Sequence, residues 1–123
     1  MDTKAHTTGE TKHRQEECKG ALLPVRDALE VLNGHWKLQV LITLSSENMR
    51  FGQISKAIPG ITDKMLSKEL KELEANKLVV RTVFDTFPPT VEYAITEHGQ
   101  SIWPVITALR DWGLLHRKKV IGK

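Results

Sequence analysis

Four helical segments, then a β-hairpin, then a last helix predict a mainly α chain with a β-hairpin wing, that is, a winged helix-turn-helix. Three observations carry this prediction. Apolar residues recur at spacings of three and four as far as Leu73. Pro59-Gly60 interrupts that pattern sharply between the third and fourth helices. From Leu78 the chain turns to β-branched and aromatic residues in two short runs.

The first helix lies in "LLPVRDALEVLNG", where Leu22, Val25, Leu29 and Leu32 share a face, Pro24 is tolerated near the start and Asn33-Gly34 is the stop. The second, "HWKLQVLITLSS", buries Trp36, Val40, Leu41 and Leu44. The short third, "FGQISKAI", is anchored by Phe51, Ile54 and Ile58. Thr62 caps the fourth, which carries Leu66, Leu70 and Leu73 on one face and ends near Asn76. "LVVRTVFD" and "TVEYAIT" form the hairpin, with Pro88 and Pro89 preventing further pairing at its tip. Thr96 caps the last helix, "EHGQSIWPVITALRDWGLLHRKK", which its interior Pro104 is expected to kink. Residues 1–20 read as a flexible polar tail, 21–116 as the folded domain, and 117–123 as a basic C-terminal tail.

The 123 residues suit one domain, and 40% hydrophobic with 27% charged residues is the balance of a globular protein. The net charge of +3 and an isoelectric point near 9.1 hint mildly at a polyanionic partner. No apolar run is long enough to span a bilayer, and the polar N-terminus lacks the apolar stretch of a secretory signal. A single cysteine excludes an internal disulfide and a multi-cysteine metal cage, which fits a reducing, cytoplasmic setting. His6, His13, His35, His98 and His116 are scattered without metal-ligand spacing, and no Gly-rich phosphate loop is present. Neither an enzyme nor a protein with a resident cofactor or metal is expected.

The fourth helix is the segment with a functional signature. Taking Leu66 as the reference and about 100° per residue, Leu70 and Leu73 fall within roughly 40° of it, whereas Lys64, Lys68 and Lys71 fall on the opposite side. Asp63, Glu69, Glu72 and Glu74 lie on the flanks between them. A basic ridge therefore starts at the end of the helix where a recognition helix meets DNA. Lys68 and Lys71 are expected to clamp phosphates, and Thr62, Lys64, Met65 and Ser67 to reach base edges. Arg50 before the third helix, Arg81, and Thr90 near the hairpin tip extend the candidate footprint. The competing reading is a winged-helix protein-interaction module without DNA binding, whose affinity would respond little to salt.

The segments "PVRDALEVLNGHWKLQVLITL" and "RFGQISKAIPGITDKMLSKELKELEANKLVVRTVFDTFPPTVEYAITEHGQSI" closely resemble the HxlR-type winged-helix transcription regulators, relatives of the MarR group. The resemblance runs from about Leu22 to Trp112. Its distinguishing pieces are Gly34-His35-Trp36, the run from Pro59 to Glu74, "PPTVEY" and "TEHG". It implies a homodimer on an inverted-repeat operator in double-stranded DNA, with the first and last helices building the dimer interface. Here that interface would draw on Leu22, Val25, Leu29, Ile102, Trp103, Ile106, Leu109, Trp112 and Leu115. Some family members sense oxidants through a cysteine directly before the Pro-Val of the first helix. That slot is Leu23 here, and Cys18, five positions earlier, is the remaining candidate for redox sensing. A small-molecule effector would have Trp36, Trp103 or Trp112 available to it. Many relatives carry a basic residue at the wing tip where this chain has Thr90.

Overall fold

The computed structural model describes residues 9–122, and the expectation for residues 1–8 lies outside them. The chain divides into two units, Met1–Asn33 and Gly34–Lys123. The first holds helix α1, Gly9–Val31. It begins well before Leu22, so residues 9–20, expected as a flexible tail, are helical. Arg14, Gln15, Glu16, Glu17 and Lys19 explain this, since straight-chain polar residues are good helix formers even where they bury nothing. Pro24 consequently lies inside the helix and not at its start.

The second unit contains α2 (Lys37–Ser46), α3 (Phe51–Ala57), α4 (Asp63–Ala75), β1 (Val79–Phe84), β2 (Thr90–Ile95), α5 (Glu97–Gln100) and α6 (Trp103–Ile121). The strands pair antiparallel, with Val79 opposite Ile95, Arg81 opposite Tyr93 and Phe84 opposite Thr90. One feature is added to the expected hairpin. Met49, in the connection from α2 to α3, exchanges both backbone hydrogen bonds with Tyr93 (3.0 and 2.7 Å) and so fastens that connection to β2.

Val40, Leu41 and Leu44 of α2, Ile54 and Ile58 from the α3 region, Leu66, Leu70 and Leu73 of α4, and Leu78 and Val79 are all buried. Each such side chain contributes about 1.5–3 kcal/mol on leaving water. Trp36 and Phe51, expected in this core, are only half-buried. The Trp36 ring instead lies against the α3–α4 turn, where a Cβ on Gly60 would sit 3.7 Å from it. Gly60 has φ +87°, a conformation that a side chain disfavours, and this lets the chain reverse between the two helices.

The single long last helix is replaced by two. The short α5 ends at Gln100, and Pro104 falls in the first turn of α6, where its missing N–H costs no helical bond. Pro104 therefore opens a helix and does not kink one. At the other end, Arg117, Lys118 and Lys119 are helical, as the expected helix through Lys119 has them, and the helix continues to Ile121 into the segment also expected as a basic tail. Cations are favoured in a last turn, and the Gly122 N–H closes it on the Lys118 carbonyl at 2.9 Å.

Candidate nucleic-acid interface

Helices α3 and α4 and the turn between them form the helix-turn-helix. The α3 start is closed by Gln53, whose side-chain oxygen accepts from the Arg50 backbone N–H at 2.8 Å, with the Arg50 residue itself exposed. The Ser55 hydroxyl reaches the Asp63 carboxylate at 3.2 Å and links α3 to the first turn of α4. Thr62 caps α4, its hydroxyl oxygen accepting from the Met65 N–H at 3.1 Å. The α4 start is thus fixed by side chains, with its dipole's positive end at an exposed surface.

Leu66, Leu70 and Leu73 point inward, while Lys64, Lys68 and Lys71 are exposed, Met65 is 37% exposed and Ser67 is half-buried. Lys64, Ser67, Lys68, Lys71 and Glu72 line one concavity of about 430 Å³. Ser67 and Lys71 also line a second of about 430 Å³, with Leu70, Glu74, Arg81 and Tyr93, between α4 and the hairpin. The structure therefore brings Lys64, Ser67, Lys68, Lys71 and Arg81 to neighbouring surfaces. Arg50 lines neither concavity. Nor does Thr90, whose hydroxyl lies 2.7 Å from that of Thr86 at the hairpin tip.

The acids of α4 are arranged less symmetrically than the helical projection suggests. Glu69 is buried rather than flanking, 6% exposed, and its partner is Lys37, itself 2% exposed. The Lys37 ammonium donates to Glu69 Oε1 at 2.6 Å and lies 2.6 Å from Glu72 Oε1. The second Glu72 oxygen, Oε2, pairs with Lys68 at 3.1 Å. Burial disfavours the Lys37 ammonium, but its hydrogen bonds to Glu69 and Glu72 outweigh that and hold it above the ordinary lysine range. The Glu72 carboxyl is lowered, first by the hydrogen bond from Lys37 and then by that from Lys68. Sequence reasoning passed over this pair. Its one signal is that Lys37 shares the apolar stripe of Val40, Leu41 and Leu44.

The residues expected at a dimer interface are mostly at the surface of the single chain. Leu22, Val25 and Leu29 on α1, and Trp103, Leu109, Trp112 and Leu115 on α6, are exposed, Ile102 is half-buried, and Ile106 is buried. Trp103 donates its ring N–H to Ser45 Oγ at 2.9 Å, and Trp112 stacks on His116 with ring centres 4.9 Å apart. Cys18 is an exposed free thiol on α1. Among the described residues no cluster of His, Cys, Asp or Glu is suited to a metal, and no helix is long and apolar enough to cross a membrane.

Residues 31–120 match the family of HxlR-like helix-turn-helix proteins. The chain is 42% identical over 95 residues to an uncharacterized HTH-type transcriptional regulator of Methanothermobacter thermautotrophicus, covering 77% of this chain and 72% of that protein. It is 37% identical over 100 residues to the uncharacterized HTH-type regulator YtcD of Bacillus subtilis, covering 81% and 79%. A crystal structure of YtcD matches with a TM-score of 0.72 at 38% identity, covering 75% of this chain and 94% of that one. The reduced form of the redox regulator HypR matches with 0.74 at 34%, covering 81% and 99%. The fold, the capped helix pair with its wing, and these similarities agree: the chain belongs to the HxlR-like helix-turn-helix family, whose members are transcriptional regulators and not enzymes.

Proposed function

We propose that the protein binds an inverted-repeat operator as a homodimer, inserting α4 of each protomer into the major groove. The carrying observation is that Lys64, Lys68 and Lys71 stand exposed on the face of α4 opposite its buried leucines. Lys68 and Lys71 serve as phosphate contacts, while Thr62, Lys64, Met65 and Ser67, near the helix start, face base edges. Arg81, Arg50 and Thr90 extend the footprint. Dimerisation is supported by the apolar residues exposed on α1 and α6, since extensive exposed apolar surface marks protein contacts. Two-fold symmetry would set the two α4 helices about 34–36 Å apart, one turn of duplex. The setting is cytoplasmic.

The test is fluorescence anisotropy on the region upstream of the protein's own gene and on duplexes selected from a random pool. Tight binding that weakens steeply between 50 and 200 mM salt, and that Lys64→Ala/Lys68→Ala abolishes, is expected. Binding retained by the variant moves the footprint off α4. Absence of binding to any selected duplex leaves the protein-interaction module.

An oxidant effector is favoured by the likeness to HypR, solved in reduced and oxidized forms, and to YodB, solved in reduced and diamide-treated forms. Cys18, the chain's one thiol, is exposed and would carry that response. Loss of any oxidant effect on DNA affinity in Cys18→Ser is the expected result; an effect that persists there excludes Cys18.

A further inference from the structure

We propose that Lys37 is a positioning residue for sequence-specific binding: from α2 it fixes the rotation of α4 about its own axis, and so the aim of its base-reading side chains. The inference rests on the DNA-binding reading above. Leu66, Leu70 and Leu73 seat α4 through apolar packing, which is non-directional. The Lys37 ammonium adds direction. It holds Glu69 and Glu72, one helical turn apart, at 2.6 Å each, with Lys37 and Glu69 both buried. Two short charge-assisted bonds to successive turns leave the helix little freedom to roll.

The geometry makes such roll matter. A side-chain tip at roughly 5–6 Å from a helix axis moves about 1 Å when the helix turns by about 10°. A base-edge contact must be held to within about 0.5 Å, whereas a long lysine reaching a phosphate re-aims to follow it. Loss of the Lys37 bonds should therefore lower specific binding and spare non-specific binding. A role confined to stability would instead weaken both together. Glu72 connects the two faces directly, since its Oε1 meets Lys37 while its Oε2 meets Lys68 on the DNA-facing side.

The test uses Lys37→Met/Glu69→Met, which removes both buried charges at once and leaves net charge unchanged. Replacing a buried pair with apolar residues of similar size is often neutral or stabilising, whereas removing one partner strands a charge. Glu72→Gln is the conservative companion, because its amide oxygen still accepts from Lys37. Affinities for a selected operator and for a mixed-sequence duplex are measured at two salt concentrations, beside thermal melts. The expected result for the double variant is an operator preference lowered about tenfold, the weight of one lost base contact, with non-specific affinity and salt slope unchanged. Glu72→Gln should strengthen both affinities together and keep their ratio. An unchanged preference in a folded double variant overturns the inference and leaves the proposed function standing. So does an equal loss on both duplexes that tracks the melting temperature. Wild-type protein without any operator preference overturns the proposed function and this inference with it.

Discussion

Replacing Gly99 with alanine sets two effects of opposite sign against each other. Gly99 is helical, in α5, and alanine is ordinarily favoured over glycine there by about 1 kcal/mol. A Cβ at this position, however, would lie 2.3 Å from the Leu78 carbonyl oxygen and 2.6 Å from Ile95 Cγ1. Relief to van der Waals distance needs a shift of about 1 Å, and the obstacle is backbone as well as side chain. That carbonyl accepts the Thr96 N–H at 3.0 Å, while the Thr96 hydroxyl donates to the Lys77 carbonyl at 2.7 Å and accepts the Gly99 N–H at 2.9 Å. Moving it would therefore disturb the joint between the end of α4, β1 and α5. Overpacking of this kind costs about 1–3 kcal/mol, occasionally more, and the backbone contact places Gly99→Ala at the upper end. The clash outweighs the propensity gain, leaving a net loss of about 2 kcal/mol and a fall in melting temperature on the order of 10 °C. Thermal unfolding followed by circular dichroism, at one fixed protein concentration, measures it. Gly52→Ala is the control, because nothing lies within 4 Å of a Cβ there. A Gly99→Ala melting temperature equal to or above wild type would refute the packing argument.

Lys77 closes α4 with φ +63°, a left-handed conformation that a side chain disfavours, so Lys77→Gly should stabilise the fold by about 0.5–1 kcal/mol in urea titrations. Leu109→Glu/Trp112→Glu, on exposed α6 positions, should turn the proposed dimer into a monomer in analytical ultracentrifugation without lowering helical content. The lowered Glu72 carboxyl contributes stability above about pH 4.3, lost as pH falls through its folded value; the raised Lys37 ammonium contributes below about pH 10.4, lost as pH rises through its folded value. Urea midpoints across pH should therefore fall at both extremes, and less so in Lys37→Met/Glu69→Met.

Leu66, Leu70 and Leu73 were legible as a buried face because helical periodicity alone places them together, and each is at most 1% exposed. The Pro59-Gly60 turn and the Thr62 cap were legible for equally local reasons. The helix ends were not. Whether polar residues such as Arg14 to Lys19 continue a helix depends on propensities of a few tenths of a kcal/mol each, which no apolar stripe reinforces. Pro104 was ambiguous because a proline suits the first turn of a helix as well as a kink, and only the break after Gln100 decides which. Lys37 shows a different limit. Its place on an apolar stripe marks it as unusual, but its partner Glu69 lies 32 positions away and becomes visible only when α2 meets α4. The Met49–Tyr93 bridge is hidden for the same reason, since backbone pairing across such a distance leaves no trace in either segment.

These non-local contacts also change how the charge of α4 is understood. Between Thr62 and Asn76 the helix carries three lysines and four acids, so by itself it is slightly acidic. An acidic helix is a poor probe for a phosphate-lined groove. The fold resolves this by drawing Glu69 into the interior and sharing Glu72 with Lys37, a cation supplied by α2. Lys64, Lys68 and Lys71 then face outward, with Glu69 withdrawn from the surface and one of the four acid charges offset from behind by Lys37. Glu69 and Glu72 thereby serve the helix twice, tying its inner side to α2 by directional bonds and leaving its outer side basic. Moving the same carboxylates to the exposed face would keep the composition and lose both effects.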